Sequence, residues 1–248
     1  TDDGNIQITR DNGINWENVR KNIKGVPSKT WVSRVEASKH KKGRAYVSFD
    51  NHRFDDNKPY VFMTDDYGKS WTNISANLPL DYSVYVIKED YIDENLLFVG
   101  TEKSVYFTIN KGINWEMLGD KLPSVAIHDL IIHPRDGDLI AGTHGRSIWI
   151  LDDISPLRKL DKKSNNLTPI RIATKWIKIN TGRKQPFFEF RGENPPNGSI
   201  INFYSSNNYK GKLTVTNISG LNVYSKPISF NKGINRFIWP LELERNKD

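Results

Sequence analysis

The sequence predicts an all-β protein: about three to four blades of a larger β-propeller, followed by a small β-sandwich of immunoglobulin type. Two observations predict this class. An eight-residue motif recurs three times, and short alternating strands separated by glycine turns continue along most of the 248 residues. No segment shows the apolar period of an amphipathic helix.

The recurring motif predicts the propeller. Its three copies occupy residues 9–16, 64–71 and 108–115, and each begins with Thr, has Gly at its fifth position and ends with Trp. The final tryptophans are 55 and 44 residues apart (71 − 16 and 115 − 71). Four short strands and their turns need about 40 to 50 residues in one propeller blade. Each copy is therefore interpreted as one hairpin turn of a blade.

Each position of the motif has a physical role. The Thr ends a strand, an Asp or Asn accepts backbone N–H groups of the turn, and Gly supplies a positive φ. The Trp opens the returning strand and offers a large side chain for burial. We expect all three glycines to have positive φ and all three tryptophans to be substantially buried. The third copy has Asn in place of Asp, which predicts a weaker turn network. The structural residues are Asp11, Gly13, Trp16, Asp66, Gly68, Trp71, Asn110, Gly112 and Trp115.

Alternating segments around the motif predict three sheets in chain order. The repeat ends after the third sheet, where no further copy of the motif follows. The predicted strands cover residues 31–38, 44–49 and 59–63, then 82–88, 95–100, 105–108 and 115–118, then 126–132 and 138–142.

Composition changes after Leu160, where Asp-Lys-Lys-Ser-Asn-Asn forms a polar segment. We therefore predict propeller blades over residues 1–160, a linker or crossover segment with a strand near 170–179 over 161–185, and the sandwich over 186–248. Because the predicted blades cannot close a ring, we expect them to pack against further N-terminal blades of the same protein.

The motif, Ser/Thr-x-Asp-x-Gly-x-x-Trp/Phe, resembles the Asp-box, or BNR repeat, of sialidases, sortilin-type receptors and some xyloglucan-cleaving glycosidases. Residues 135–157 and 190–201 resemble the end of the propeller and the following sandwich in bacterial secreted proteins described as BNR-repeat glycosyl hydrolases or sortilin-like. This resemblance implies a secreted, periplasmic or cell-surface protein. Any enzymatic activity that it implies is that of a glycoside hydrolase.

Composition removes several functional classes. The chain has no cysteine, which excludes disulfides, thiolate metal sites and a cysteine nucleophile. The formal charge is +7, but the basic residues are spread along the chain beside 29 acidic ones, so we expect no nucleic-acid partner. No apolar run approaches the ~18 residues of a membrane span, so we expect no membrane insertion. The five histidines lack metal-binding spacing, so we expect no metal and no cofactor.

A glycosidase needs two carboxylates on opposite sides of the scissile bond. Five carboxylates lie on predicted strands or loops that can face a propeller cavity, and a solvated or ion-paired carboxylate is the alternative for each. Spacing alone does not pair them. Glu36, Glu102 and Asp129 are the catalytic candidates, with Asp50 and Asp152 as further cavity carboxylates.

Two segments are candidates for ligand binding. His144-Gly145-Arg146 offers an imidazole and a cation to a carboxylate or a sugar, although Arg146 paired with Asp152 or Asp153 is the alternative. The polar loop 50–56 offers Asp50 and His52, and Arg34 completes the candidate set.

The predicted function is a propeller module that binds a protein, peptide or glycan. The alternative is the C-terminal part of a glycoside hydrolase that shares its catalytic residues with blades upstream.

Overall fold

The computed structural model describes residues 1–119, 121–160, 166–167 and 196–242. Contacts divide the chain into two compact units, Thr1–Arg158 and Lys159–Asp248. Nearly all regular structure in the described residues is antiparallel β, and the α-helix α1 (Ser155–Arg158) is a single turn. The all-β fold class is therefore confirmed. Most of the predicted linker, including its strand near 170–179, lies outside the described residues.

The first unit begins with a hairpin and continues with three sheets. The hairpin consists of β1 (Gln7–Ile8) and β2 (Glu17–Asn18). The first sheet contains β3 (Trp31–Ala37), β4 (Ala45–Asn51), β5 (Asp56–Thr64) and β6 (Thr72–Asn73). The second sheet contains β7 (Val84–Glu89), β8 (Leu97–Thr101), β9 (Val105–Thr108) and β10 (Glu116–Met117). The third sheet contains β11 (Ile127–Ile132), β12 (Leu139–Thr143) and β13 (Ile148–Leu151). Two short 3-10 helices span Arg20–Asn22 and His52–Phe54.

Each sheet is a meander in which every strand pairs with the strand before it. This order, repeated from sheet to sheet, is that of propeller blades. The predicted strands of the three sheets are all present, with ends that differ by only a few residues.

The core of the first unit lies between neighbouring sheets. Tyr46 and Val61 of the first sheet pack against Val84 and Val99 of the second, and all four are fully buried. The equivalent face of the third sheet is open. Its edge strand β13 is exposed along its length, and Ile150 is 59% exposed. After β13 the chain turns into α1.

The three repeat turns share one hydrogen-bond pattern. In the first, the N–H of Gly13 donates to Oγ1 of Thr9 (2.8 Å), and the N–H of Asn15 donates to Oδ1 of Asp11 (2.9 Å). The second and third turns repeat both bonds at lengths of 2.9 to 3.1 Å. The three glycines have φ of 92°, 78° and 87°.

The third turn differs from the others at its Asn. Asp11 and Asp66 each accept a further bond of 2.6 Å from the side chain four residues later, Asn15 and Ser70. Asn110, like the two Asp residues, accepts the Thr hydroxyl (2.7 Å) and the backbone N–H of the residue four positions later (3.0 Å), but the described contacts include no bond from the Asn114 side chain. The amide thus makes one bond fewer than the carboxylates.

The tryptophans of the turns differ in burial. Trp115 is 2% exposed, Trp71 is half-buried, and Trp16 is 59% exposed. The expectation of burial is therefore wrong for Trp16. Trp115 packs in the core between the first and second sheets, where its indole N–H donates to the carbonyl of Ile74 (2.7 Å). The indole N–H of Trp16 instead bonds within its own turn, to the carbonyl of Gly13 (3.0 Å).

Two turn glycines differ in the space beside them, which predicts unequal effects of Gly→Ala. A Cβ at Gly112 would lie 2.8 Å from Cβ of Ile74, whereas a Cβ at Gly13 would meet only the Trp16 ring at 3.8 Å. Both substitutions strain a positive φ, at about 1–2 kcal/mol each. We expect Gly112→Ala to lower the free energy of unfolding by about 1–3 kcal/mol more than Gly13→Ala, because of overpacking. Urea denaturation of both variants measures the difference, and equal losses would contradict it.

The second unit contains two small sheets in its described part. One sheet contains β14 (Asn166–Leu167), β15 (Ser199–Ser205) and β18 (Gly233–Trp239), and the other contains β16 (Tyr209–Thr216) and β17 (Asn222–Phe230). Phe203 and Phe230 join the two sheets, with ring centroids 5.0 Å apart. Antiparallel strands are as predicted here, and the immunoglobulin type stays a prediction. Among the described residues, no helix is both long and apolar enough to cross a membrane.

Candidate functional site

The first strand of each sheet carries a β-bulge at the same place. The bulges lie in β3, β7 and β11. These are the first strands of three consecutive sheets, and β7 contacts both β3 and β11. A bulge leaves one residue outside the pairing register and re-aims its side chain. The three residues placed in this way are Ser33, Tyr85 and His128.

A second set of equivalent residues lies beside the bulges. Ser48, Gly100 and Gly142 pair with the residue that follows each bulge. Two residues later, at the end of the second strand, the chain carries a polar side chain in every sheet. These side chains are Asp50, Glu102 and His144.

Four rings from the three sheets form a continuous row, which we call the ring row: His52, Tyr85, His128 and His144. The rings of His52 and Tyr85 meet edge to face at 6.3 Å, and those of Tyr85 and His128 stack at 4.7 Å with an angle of 26°. His128 and His144 follow at 5.3 Å. The three histidines are exposed and Tyr85 is half-buried, so the row is accessible from solvent.

Two carboxylates are hydrogen-bonded to this row. Glu102 accepts the hydroxyl of Tyr85 at 2.8 Å, and both carboxylate oxygens of Asp50 lie within 2.8 Å of Nδ1 of His52. Burial, the bond to Glu102 and the negative charge of Asp50 together raise the pKa of Tyr85. The phenol therefore stays protonated and keeps donating to Glu102.

Four charged residues of the first strands form two ion pairs between sheets, whereas Glu89 at the end of β7 is buried and accepts the hydroxyls of Ser38 and Tyr46. Nη2 of Arg34 lies 2.5 Å from Oδ1 of Asp129, and Nζ of Lys88 lies 2.6 Å from Oε1 of Glu36. These contacts link β3 with β11 and β3 with β7. Each of the two carboxylates thus has a cation beside it.

The structure separates the predicted site residues into two groups. Asp50, His52, Glu102 and His144 come together at the ring row, whereas Glu36, Asp129 and Arg34 belong to the ion pairs. Arg146 lies exposed in the loop after His144, where its carbonyl accepts the indole N–H of Trp149 (2.9 Å). Asp152 is exposed and follows β13.

Sequence reasoning did not place Tyr85 and His128 in the site. The available signal was their spacing of 43 residues (128 − 85), which nearly matches the 42 residues between Gly100-Thr101-Glu102 and Gly142-Thr143-His144. Aligning the second and third sheets by this spacing places Tyr85 and His128 at the same repeat position, and two ring side chains there would have marked them as site candidates.

The arrangement offers flat ring faces and hydrogen-bond acceptors, which are the elements of a binding surface. Within the described part of the chain, no group of three or more His, Cys, Asp or Glu side chains is placed to hold a metal ion.

Comparison with known proteins gives neither a matching family model nor a matching curated protein. Among solved structures, the GH74 xyloglucanase from Xanthomonas campestris is similar over 60% of this chain and 24% of its own, with 17% identity and a TM-score of 0.47. YCF48 bound to D1 peptide is similar over 56% of this chain and 42% of its own, with 22% identity and a TM-score of 0.41.

An ancestral GH74 enzyme is similar over 92% of this chain and 31% of its own, with 11% identity and a TM-score of 0.47. The chain spans less than half the length of each of these three proteins. At these identities and scores, the likeness carries over no activity, substrate or partner.

Proposed function

We propose that this protein is a propeller module that binds a protein, peptide or glycan, and that the ligand lies on the ring row. One observation carries the proposal: four rings from three consecutive sheets are in continuous contact and open to solvent. Rings in contact keep little rotamer freedom, so the surface is ordered before a ligand arrives.

The chemistry of the row suits such ligands. Aromatic faces bind the C–H faces of sugars and the side chains of peptides, while Asp50 and Glu102 offer carboxylate oxygens to hydroxyl or N–H donors. The bulges support this role, because they turn Tyr85 and His128 out of the ladder without ending it. A secreted, periplasmic or cell-surface location belongs to the same proposal and rests on the Asp-box resemblance.

The ion pairs disfavour the alternative of a glycoside hydrolase. Two of its three candidate carboxylates, Glu36 and Asp129, are each held by a cation within 2.6 Å. A catalytic carboxylate must face the scissile bond of the substrate, whereas these two face a cation of a neighbouring strand. Glu102 is the remaining candidate.

Binding to arrays of peptides and oligosaccharides tests the proposal. We expect His128→Ala to weaken binding of the best ligand about tenfold or more, because it removes the ring stacked on Tyr85. His133→Ala is the matched control, since His133 lies five residues along the chain and its side chain is 40% exposed, against 41% for the site residue His52. We expect its affinity to equal that of the wild type.

Two results would contradict the proposal. The first is equal binding by both histidine variants. The second is release of reducing ends from a polysaccharide that is abolished by Glu102→Gln, which would establish the hydrolase instead.

A further inference from the structure

We propose that the ring row binds an organic cation: the guanidinium or ammonium group of an Arg or Lys side chain in a peptide. The cation lies on Tyr85, between the carboxylates of Asp50 and Glu102. This inference rests on the proposed function and names the chemistry of its ligand.

The balance of charge beside the bulges is the first argument. Five carboxylates lie on the first strands or directly beside their bulges, and one of them, Glu89, is buried and accepts the hydroxyls of Ser38 and Tyr46. Glu36 and Asp129 are neutralised by Lys88 and Arg34. Asp50 and Glu102 bond to an imidazole and a phenol instead, and in the described part of the chain no Lys or Arg nitrogen lies within 4.0 Å of either.

The partners of these two carboxylates leave room for a ligand. The Tyr85 hydroxyl bonds to one oxygen of Glu102 (Oε2), so the other oxygen can accept a donor. Asp50 lies near the same ring, because it bonds to His52, whose ring meets that of Tyr85 edge to face at 6.3 Å. Two carboxylates therefore lie beside one aromatic ring, and this is an environment that attracts an organic cation.

The neighbouring cations provide a second, independent argument. Arg53 follows His52 in sequence, and its guanidinium lies 3.7 Å from the ring centroid of Trp31. Lys103 follows Glu102, and its Nζ lies 4.4 Å from the ring centroid of Tyr82. Both cations are held on aromatic rings and not on the adjacent carboxylates. Cation–ring contact is thus already used beside the row.

The rings at the centre of the row have no such partner. Among the described cation–ring contacts, none involves Tyr85 or His128. A peptide cation on Tyr85 would complete this pattern and would neutralise Asp50 and Glu102 at the same time. A neutral glycan would leave both charges uncompensated.

Fluorescence anisotropy with labelled peptides tests the inference. The probe is Gly-Ser-Arg-Arg-Ser-Gly, and the matched peptide has Gln in place of both Arg. We expect saturable binding of the arginine probe, weakened about tenfold or more by Glu102→Gln and by Asp50→Asn, since each removes one charge without changing shape. Glu36→Gln is the control, because that carboxylate already has Lys88, and we expect it to leave affinity unchanged.

A measurement on the unaltered protein covers the case in which a variant fails to fold. We expect affinity for the arginine probe to fall as salt is raised, because the contact is between charges at a solvent-accessible site.

The outcomes separate the two proposals. The cation inference is overturned if the wild type binds both peptides with equal affinity. It is also overturned if Glu102→Gln binds the arginine probe as tightly as the wild type does. A neutral oligosaccharide that binds and is lost with His128→Ala also overturns it but leaves the proposed function standing. Failure of every peptide and glycan to bind at the row overturns both.

Discussion

Replacement of Trp115 by Ala is expected to lower the free energy of unfolding of the first unit by about 3–5 kcal/mol, because it opens a cavity between two sheets. The side chain is 2% exposed and packs in the cluster that contains Val61 and Val99. Its indole N–H donates to the carbonyl of Ile74 (2.7 Å), which would be left without that donor.

Trp16→Ala is the matched control, because the same residue type stands at the same motif position. Trp16 is 59% exposed, and its indole N–H bonds only within its own turn, to the carbonyl of Gly13 (3.0 Å). We expect a loss of no more than about 1 kcal/mol. Urea denaturation followed by circular dichroism measures both variants. Losses of the same size would show that burial between sheets does not set the contribution of the motif tryptophan.

The second large effect is expected at the ion pair between Arg158 and Asp90. Nε and Nη2 of Arg158 each lie 2.8 Å from one oxygen of Asp90, whose side chain is fully buried. Arg158→Met would leave this carboxylate buried without its cation, which costs about 3–5 kcal/mol. Because Arg158 lies in α1 and Asp90 follows β7, the substitution should also release the end of the first unit.

Two further variants sharpen this prediction. Arg158→Met combined with Asp90→Asn removes both charges, so we expect it to recover much of the loss. Arg135→Met breaks an ion pair with Asp136 in which the arginine is 82% exposed, and we expect a change of no more than about 1 kcal/mol. Thermal or urea unfolding compares the three. A single Arg158→Met variant as stable as Arg135→Met would refute the argument from burial.

The strands and turns were predictable because they depend on local sequence. Residue alternation located the strands, and in each turn the Thr bonds to the Gly and to the Asp or Asn within seven residues. Burial of the tryptophans was not predictable from the motif, because it depends on the neighbouring sheet. Trp16 and Trp115 have the same motif position and differ in exposure from 59% to 2%.

The candidate site was predictable only in part, for a similar reason. Asp50, His52, Glu102 and His144 stand in polar segments at strand ends and attract attention in the sequence alone. Tyr85 lies within a strand, and only the bulge turns it toward the others. The ion-pair partner of Glu36 lies 52 positions away in the sequence, and that of Asp129 lies 95 positions away. A local sequence pattern therefore cannot predict these pairs.

The bulges also separate the residues that pair the strands from the residues whose side chains differ between sheets. Ser33, Tyr85 and His128 occupy one backbone position in three copies, yet their side chains are a hydroxyl, a phenol and an imidazole. A bulge residue has no directly paired residue in the backbone ladder, and its side chain makes different contacts in each sheet: Ser33 with Ser48, Tyr85 with Glu102, and His128 with the Tyr85 ring. The three positions thus combine one backbone geometry with three different side-chain chemistries. The side chain that one sheet presents to a ligand can therefore differ from that of the next sheet while the strand pairing stays the same.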